Sequence, residues 1–425
     1  LGNLRSYLMA DWIRRILENN GSTIHHVKNI TDVGHMRQEL LEQGEDKIVA
    51  AAIKEGKTPK EISQHYTDIF FADESALNIL PAHDYPKATE HINEMLLLIE
   101  SLVDQGYAYE VNRNVYYNVA KFTSYGNLSG NIYTNLIKGV RIEEDSNKQH
   151  PQDFTLWKYA EPGRTLKWPS KWGDGFPGWH IECSAMSFKY LGHKFDIHTG
   201  GVDNIFPHHE GEIAQSEAFT GEKVVDMWVH GQHLLSDGIK MSKSEGNSYT
   251  ISTLKTLQIE PLAFRYLCAT TKYRSKLNFS LNSIKSSQQA LDKLRNRIRI
   301  LGNHKSNDTN EAQTEQSRWV QEFNYAVNND LDLSTGISLT WKLIKSNETP
   351  ESKLRIIETF DKVLGLNLIS NQYNPQVSPV IYSRIKKRVS LKKSKAFQEA
   401  DNQRNAINVL GYVLEDNING TDIRG

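Results

Sequence analysis

Lys240-Met241-Ser242-Lys243-Ser244 sets two lysines three residues apart among small hydroxyl side chains. A loop of this kind is suited to clamping a polyphosphate. Its ammonium groups meet the charge that grows on departing pyrophosphate, and its serines let the backbone approach closely. An isolated Lys-x-x-Lys is ordinarily a solvated surface turn. A specified run that continues through Glu245-Gly246-Asn247 points instead to a polyphosphate clamp.

A second group has the donors for a metal. His208 and Glu212 stand four apart in a segment expected to be helical after Pro207, which puts imidazole and carboxylate on one face, a turn apart. Cys183 adds sulfur, and a set of S, N and O donors suits zinc. Three protein ligands leave a coordination position open, the pattern of a catalytic rather than a structural zinc. Taken alone, the same residues also read as a surface pair and a small buried hydrophobe, so their flanks must decide. Seven of the fifteen histidines lie between His180 and His233, around these candidates.

The elements that must position these groups alternate between helix and strand. Leu4, Leu8, Trp12, Ile13, Ile16 and Leu17 share one face of a helix over 4–19, closed by Gly21. Residues 23–30 read as a strand, 34–75 as polar helix, and 88–105 as an amphipathic helix stopped by Gly106. A hairpin over 107–118 is expected to turn at Arg113-Asn114, and 120–175 is rich in Pro, Gly and Trp, as in a loop-rich insertion over a sheet. Alternation resumes with a strand at 194–198, a turn at Gly200-Gly201, a helix at 207–219 and a strand at 224–230. Beyond Ile251 the pattern is helical: 261–271, 283–301, 314–328, 334–346 and 351–363. A linker at 371–379 and a compact unit over 379–425 follow.

Composition narrows the class. A chain of 425 residues exceeds one simple core, and 38% hydrophobic with 24% charged residues reads as soluble and globular. The most apolar run, 95–99, is flanked by Glu94 and Glu100, so no membrane span is expected. Two cysteines, Cys183 and Cys268, exclude a disulfide framework and suit a reducing cytoplasm. A net charge of −1 announces no nucleic-acid partner, but 384–395 carries seven cations and no acid, a patch fitted to phosphates. Leu1 is not a native start, and an upstream stretch with the first strand of the βαβ unit is expected.

The flanks of the metal candidates are Gly178-Trp179-His180-Ile181-Glu182-Cys183-Ser184-Ala185-Met186 and Phe206-Pro207-His208-His209-Glu210-Gly211-Glu212. Both resemble the zinc-binding segments of cysteinyl-tRNA synthetases, and Lys240–Ser244 resembles the second signature of class I aminoacyl-tRNA synthetases. Leu1-Gly2-Asn3 is similar to the end of the family's His-Ile-Gly-His signature, and Asn29-Ile30-Thr31-Asp32 to its strand-end motif. Residues from Ala400-Asp401 to Gly420-Thr421 resemble its anticodon-binding tail, so the likeness runs along nearly the whole chain.

The resemblance implies an α/β fold: a Rossmann-type parallel-sheet catalytic domain over 1–250 with an insertion at about 107–175. It further implies a stem-contact region at 251–282, a helical bundle at 283–370 and a small C-terminal anticodon-binding domain at 371–425. It implies zinc at Cys183, His208 and Glu212, one per subunit, with a fourth cysteine ligand upstream. Gly2, Asn3, Lys240 and Lys243 would contact ATP, the two lysines also acting catalytically on pyrophosphate. Thr31, Trp179 and Asp203 would line the amino-acid pocket, with His180 a further candidate. The expected partners are ATP with Mg2+, L-cysteine and the cysteine tRNA, for a monomer in the cytoplasm. Two positions depart from the pattern: Gly34-His35 replaces a pair of acids, and Ile423 replaces a tryptophan. A cysteine ligase of the mycothiol pathway and a non-catalytic RNA-binding paralogue are the alternative readings. The basic tail argues against the first, and the intact lysine loop with its ligand set against the second.

Overall fold

Leu4, Leu8, Trp12 and Ile16 recur at helical spacing, and in the computed structural model they are the buried stripe of α1 (Gly2–Asn19). Ile13 and Leu17 fall at its half-buried margin. The structure describes residues 1–33, 36–38, 43–131, 146–241, 246–302, 313–369, 379–409, 413–417 and 420–424. They form two compact units, Leu1–Leu368 and Ile369–Gly425.

α1 also buries charge. Oδ2 of Asp11 accepts from Arg15 Nε at 2.8 Å and from Arg265 Nη2 at 2.6 Å, while Oδ1 accepts from the Leu80 amide at 2.8 Å. Arg265 also donates to the carbonyls of Leu364 (2.7 Å), Leu77 (3.0 Å) and Asn78 (3.0 Å). Burial opposes ionisation of Asp11, yet the Arg265 and Arg15 guanidinium groups and the Leu80 amide outweigh it and hold the carboxyl below its ordinary value.

Several expectations are corrected over the next hundred residues. Residues 23–30 form no regular strand; they meet 84–87 only through isolated parallel bridges, Val27 with Asp84 and Ile30 with Lys87. Pro86 in the facing segment offers no N–H, so a continuous ladder cannot form. The polar stretch 34–75 is not wholly helical. It includes a short antiparallel pair, β1 (Met36–Gln38) with β2 (Gln43–Asp46), in which Gly44 opposes helix. Helices α2 (Lys47–Glu55) and α3 (Pro59–Ala76) follow. Thr58 and Glu61 cap α3 reciprocally, and Pro59 supplies a pre-set first turn. Gly34 and His35 lie outside the described residues.

α4 (Ile92–Asp104) packs beside a four-stranded antiparallel sheet in the order β3 (Ala108–Val111), β4 (Asn114–Tyr117), β5 (Phe154–Tyr159) and β6 (Gly175–Pro177). The stretch expected to be loop therefore carries β5 and ends where β6 begins. The first hairpin turns at Asn112-Arg113, one residue earlier than expected. Both residues take positive φ, 51° and 66°, the twist a two-residue hairpin demands.

α5 (Trp179–Leu191) leads to the parallel pair β7 (Phe195–Gly201) and β8 (Val225–Gly231), in register from Phe195 with Val225 to Gly201 with Gly231. Gly200 and Gly201, expected as a turn, complete β7. The connection is a wide turn at Ile205–His209, in which Phe206 is extended (φ −136°, ψ 132°), followed by α6 (Glu210–Thr220). Regular helix thus starts three residues later than the expected 207, and His208 sits in the turn. A small sheet of β9 (Leu234–Ser236), β10 (Ile239–Lys240) and β11 (Leu277–Phe279) carries Lys240.

Helices α7 (Ile251–Thr256), α8 (Pro261–Ala269), α9 (Leu281–Gly302), α10 (Gln313–Asn328), α11 (Leu333–Lys345) and α12 (Pro350–Leu364) follow. The last five agree with the apolar periodicity to within two residues at each end. One core runs from α1 through α8–α12; a second lies between α4, α5, α6 and the four-stranded sheet. In the second unit, α13 (Pro379–Lys393) and α14 (Phe397–Val409) pack with the hairpin β12 (Val413–Asn417) and β13 (Gly420–Arg424) around Ile385, Ile407 and Leu414. The expected linker falls on 371–378, outside the described residues. Of the seven cations at 384–395, Arg388 is fully buried, so the run is not one uniformly solvated face. Among the described residues no helix is long and apolar enough to cross a membrane.

Asp11→Asn leaves two guanidinium groups in the interior without their counter-ion. The expected loss is about 3–5 kcal/mol, read as a lower urea midpoint of unfolding. Because the folded pKa is depressed, the wild-type contribution is complete above the ordinary carboxylate value of 3.8 and is lost as the pH falls towards the folded one. A midpoint unchanged by the substitution would contradict this account.

Candidate active site

β7 and β8 end side by side, and a cavity of about 310 Å³ opens at their carboxyl ends. Ligands of open α/β sheets bind in that crevice. Its walls are the first turn of α1 (Gly2, Asn3, Ser6), Asn29 and Thr31, Trp179 and Cys183 of α5, residues 199–204 and 231–234, His208, His209 and Lys240. Arg5 fixes one wall to α1 by donating to the carbonyls of Gln232 and His233, both at 2.8 Å. The unpaired amides that open α1 make its first turn a place for anions.

One side of the cavity gathers soft and borderline donors. His208 Nε2 lies 3.6 Å from Cys183 Sγ and 3.0 Å from Glu212 Oε1, and the three ligand atoms all fall within 4.8 Å of one another. Glu212 Oε1 is buried and makes no hydrogen bond. Burial holds the His208 imidazolium down to a pKa of about 3, which leaves a neutral ring with a free lone pair. Burial lifts the Glu212 carboxyl to about 7, an effect that His198 partly offsets. Burial, with the Glu212 and Glu182 carboxylates, pushes the Cys183 thiol well above its ordinary value. An orphaned buried oxygen, a neutral imidazole and a suppressed thiolate converging on one point are what a divalent cation satisfies, and it would draw off the two protons. The donor set fits zinc.

Further imidazoles stand behind these ligands. His198 Nε2 is 3.7 Å from Glu212 Oε2, and His209 Nδ1 is 2.8 Å from His230 Nε2. His198, His209 and Glu212 form a second cluster with metal-ligand spacing. Gly200 is required by this packing, because a Cβ there would lie 2.6 Å from His209 Cε1. Trp179 stacks on His208 at 4.3 Å between ring centroids.

The wall of the cavity also carries charge. Asp203 lies 2.7 Å from Lys240 Nζ and 3.4 Å from His233 Nδ1, with the Asp203 and Lys240 side chains about half exposed. Such a pair is weak and exchangeable, so each partner stays open to a substrate charge of opposite sign.

A family model for the class I (C) tRNA synthetase catalytic domain matches residues 1–289. The cysteine–tRNA ligase 1 of Burkholderia lata is 38% identical over 431 residues, spanning 100% of this chain and 89% of the relative. The cysteine–tRNA ligase of Thermococcus onnurineus is 38% identical over 444 residues, spanning 99% and 90%. That of Chlorobaculum tepidum is 41% identical over 351 residues, spanning 81% and 71%. The chain belongs to the cysteine–tRNA ligase family. Among solved structures, Mycobacterium tuberculosis methionyl-tRNA synthetase in complex with methionyl-adenylate is similar, with a TM-score of 0.56 at 14% identity over 85% of this chain and 86% of that one. That likeness shows the shared Rossmann-type class I fold.

For this family member, all but one of the site residues expected from sequence lie in or against one cavity. Gly2, Asn3, Thr31, Trp179, Cys183, Asp203, His208 and Lys240 line it. Glu212 stands behind His208. Lys243 lies outside the described residues. Sequence reasoning passed over Asn29, whose Nδ2 is 3.7 Å from Cys183 Sγ and 2.9 Å from Thr31 Oγ1. It counted His198, His209 and His230 only within the histidine cluster. It also missed Glu210, which accepts from the backbone N–H groups of Gly126 (2.9 Å) and Ser129 (2.7 Å) and so ties the insertion to the turn that carries His208.

Burial predicts thiols that resist ionisation: Cys183 stays protonated, and Cys268 is pushed up to about 12. In metal-free native protein at pH 8, iodoacetamide is expected to modify both at least about tenfold more slowly than free cysteine. Mass spectrometry of the alkylated chain reads this, and modification of Cys183 at the free-thiol rate would sink the electrostatic account.

Proposed function

We propose that the protein is a cysteine–tRNA ligase whose thiol-selecting group is a zinc ion held by Cys183, His208 and Glu212. The observation that carries the reading is the convergence of these three donors at the wall of a cavity that also holds the start of α1, Asp203 and Lys240. The carboxylate of cysteine attacks the α-phosphorus of ATP, and pyrophosphate leaves. A ribose hydroxyl at the 3′ end of the cysteine tRNA then attacks the carbonyl carbon of cysteinyl-adenylate and releases AMP. No covalent enzyme intermediate is needed, so the chain contributes positioning and charge stabilisation.

The α1 amides at Gly2 and Asn3 receive phosphate oxygens. Asp203 takes the substrate ammonium in exchange for Lys240, which is thereby released to meet the phosphates together with Lys243. Trp179 and Thr31 wall the amino-acid pocket. When bound, zinc supplies a Lewis acid that favours a thiolate over the alcohol of serine, an isostere that an apolar pocket separates only modestly. Magnesium accompanies ATP. The remaining assignments are an insertion at about 107–175, a stem-contact region at 251–282, a bundle at 283–370 and an anticodon-binding domain at 371–425. The protein acts as a cytoplasmic monomer.

Two experiments test the roles. Cys183→Ser should lose bound zinc and cysteine affinity while ATP binding persists. Metal content by plasma mass spectrometry decides, and unchanged zinc would refute the ligand set. Lys240→Ala should slow cysteine-dependent exchange of pyrophosphate into ATP by about 10²–10³-fold with zinc content unaltered, the range for removing one transition-state donor. A normal exchange rate would remove Lys240 from the mechanism.

A further inference from the structure

We infer that His180 is a positioning residue that accepts a hydrogen bond from His208 and so fixes which ring nitrogen of His208 faces the metal. The inference rests on the zinc reading above. His180 Nδ1 lies 2.9 Å from His208 Nδ1, while His208 Nε2 is the atom that faces Cys183 and Glu212. A neutral imidazole has one N–H and one lone pair, so His208 can offer Nε2 to a metal only with its proton on Nδ1. That proton points at His180, which must then present the lone pair of its own Nδ1 and act as acceptor. The opposite sense, with His180 donating, would put the His208 proton on Nε2 and block ligation. Metal-bound imidazoles are generally oriented through such a contact on the second nitrogen, most often by a carboxylate or a carbonyl. Here a second imidazole fills that place.

The local packing holds His180 for this role rather than leaving it a surface contact. His180 is buried, at 4% exposure. Gln215 Nε2 donates to its carbonyl at 2.6 Å, which ties the start of α5 to α6. Phe154 meets the ring edge-on at 5.0 Å. Position 211 must be glycine for the two helices to close, because a Cβ there would lie 2.8 Å from His180 Cγ. α5 thus brings both Cys183 and the acceptor for His208, and α6 brings Glu212 together with the room that His180 needs.

The test compares His180→Leu with His180→Asn in the full chain. Asn can place its carbonyl oxygen near the position of Nδ1 and so keep the acceptor, whereas Leu fills part of the space without one. Zinc affinity, measured by competition with a chromophoric chelator, should fall about 10–100-fold in His180→Leu and stay within about threefold of wild type in His180→Asn. The d–d spectrum of the cobalt-substituted protein should shift only in the Leu variant. Melting temperatures of the metal-free proteins show whether either variant has lost its fold; a collapsed Leu variant with an intact, tightly binding Asn variant still supports the acceptor role. Equal weakening in both variants, or none in His180→Leu, would overturn the assignment while leaving the metal site standing. A wild-type chain that binds no zinc would overturn both readings.

Discussion

The carboxylate of Asp11 sits in the interior with two guanidinium groups and a backbone amide on its oxygens, and the position of α1 follows from it. Arg265 also donates to the carbonyls that end α3 and α12, so a single side chain ties the middle of α1 to the C-terminal ends of two other helices. An ion pair so deep adds little net stability against an apolar alternative, but removing one partner is costly. Its consequence here is geometric. α1 is locked in rotation and height, and its first turn is delivered to the ends of β7 and β8. Arg5, on the same helix, then pins the backbone that follows β8. The end of the cavity beside the first turn of α1 is therefore built from the core outward.

The metal end is built differently. Cys183 comes from α5, His208 from an irregular turn and Glu212 from α6, and the ligand atoms meet because α5 and α6 pack with glycine at their contact. Burial leaves the donors neutral or nearly so when no cation is present. Their mutual proximity then costs less charge repulsion than it would between ionised groups, and a cation bound by the cluster would favour the ionised thiol and carboxyl. Glu210, two residues from each of His208 and Glu212, carries the same turn to the insertion through two backbone amides. The segment around Gly126–Ser129 and the candidate donors His208 and Glu212 are thus tied through one short stretch.

What the sequence made legible follows from what is local. The stripe of α1 and the helices beyond Ile251 were readable because a period of 3.6 residues survives in a single chain segment. Cys183, His208 and Glu212 were recognisable through their flanks, and the i, i+4 contact expected of His208 and Glu212 is present, although regular helix begins only at Glu210. β5 and β6 were hidden because their partners lie far along the chain and their neighbourhood is dense in Pro and Gly. The short pair formed by β1 and β2 was masked by a polar composition that also suits helix. Contacts such as Asp203 with Lys240 or His180 with His208 join residues 37 and 28 positions apart, and no pattern in the chain announces them.

The pair Asp203–Lys240 shows how the two ends of the cavity are related. A carboxylate and an ammonium that face a shared cavity at 2.7 Å neutralise one another while no substrate is bound. An incoming amino acid brings an ammonium, and ATP brings a polyanion. Each is matched by one member of the pair, and neither member can serve both its old partner and its new ligand fully. Under the roles proposed for Asp203 and Lys240, the first substrate to bind loosens the residue that the second one needs. Because both side chains are half exposed, the exchange costs little, and the cavity can be compensated without substrate and complementary with it. The coupling requires no displacement of the core that Asp11 and Arg265 hold; it needs only that Lys240 stand on a short strand at the edge of a small sheet, within reach of both positions.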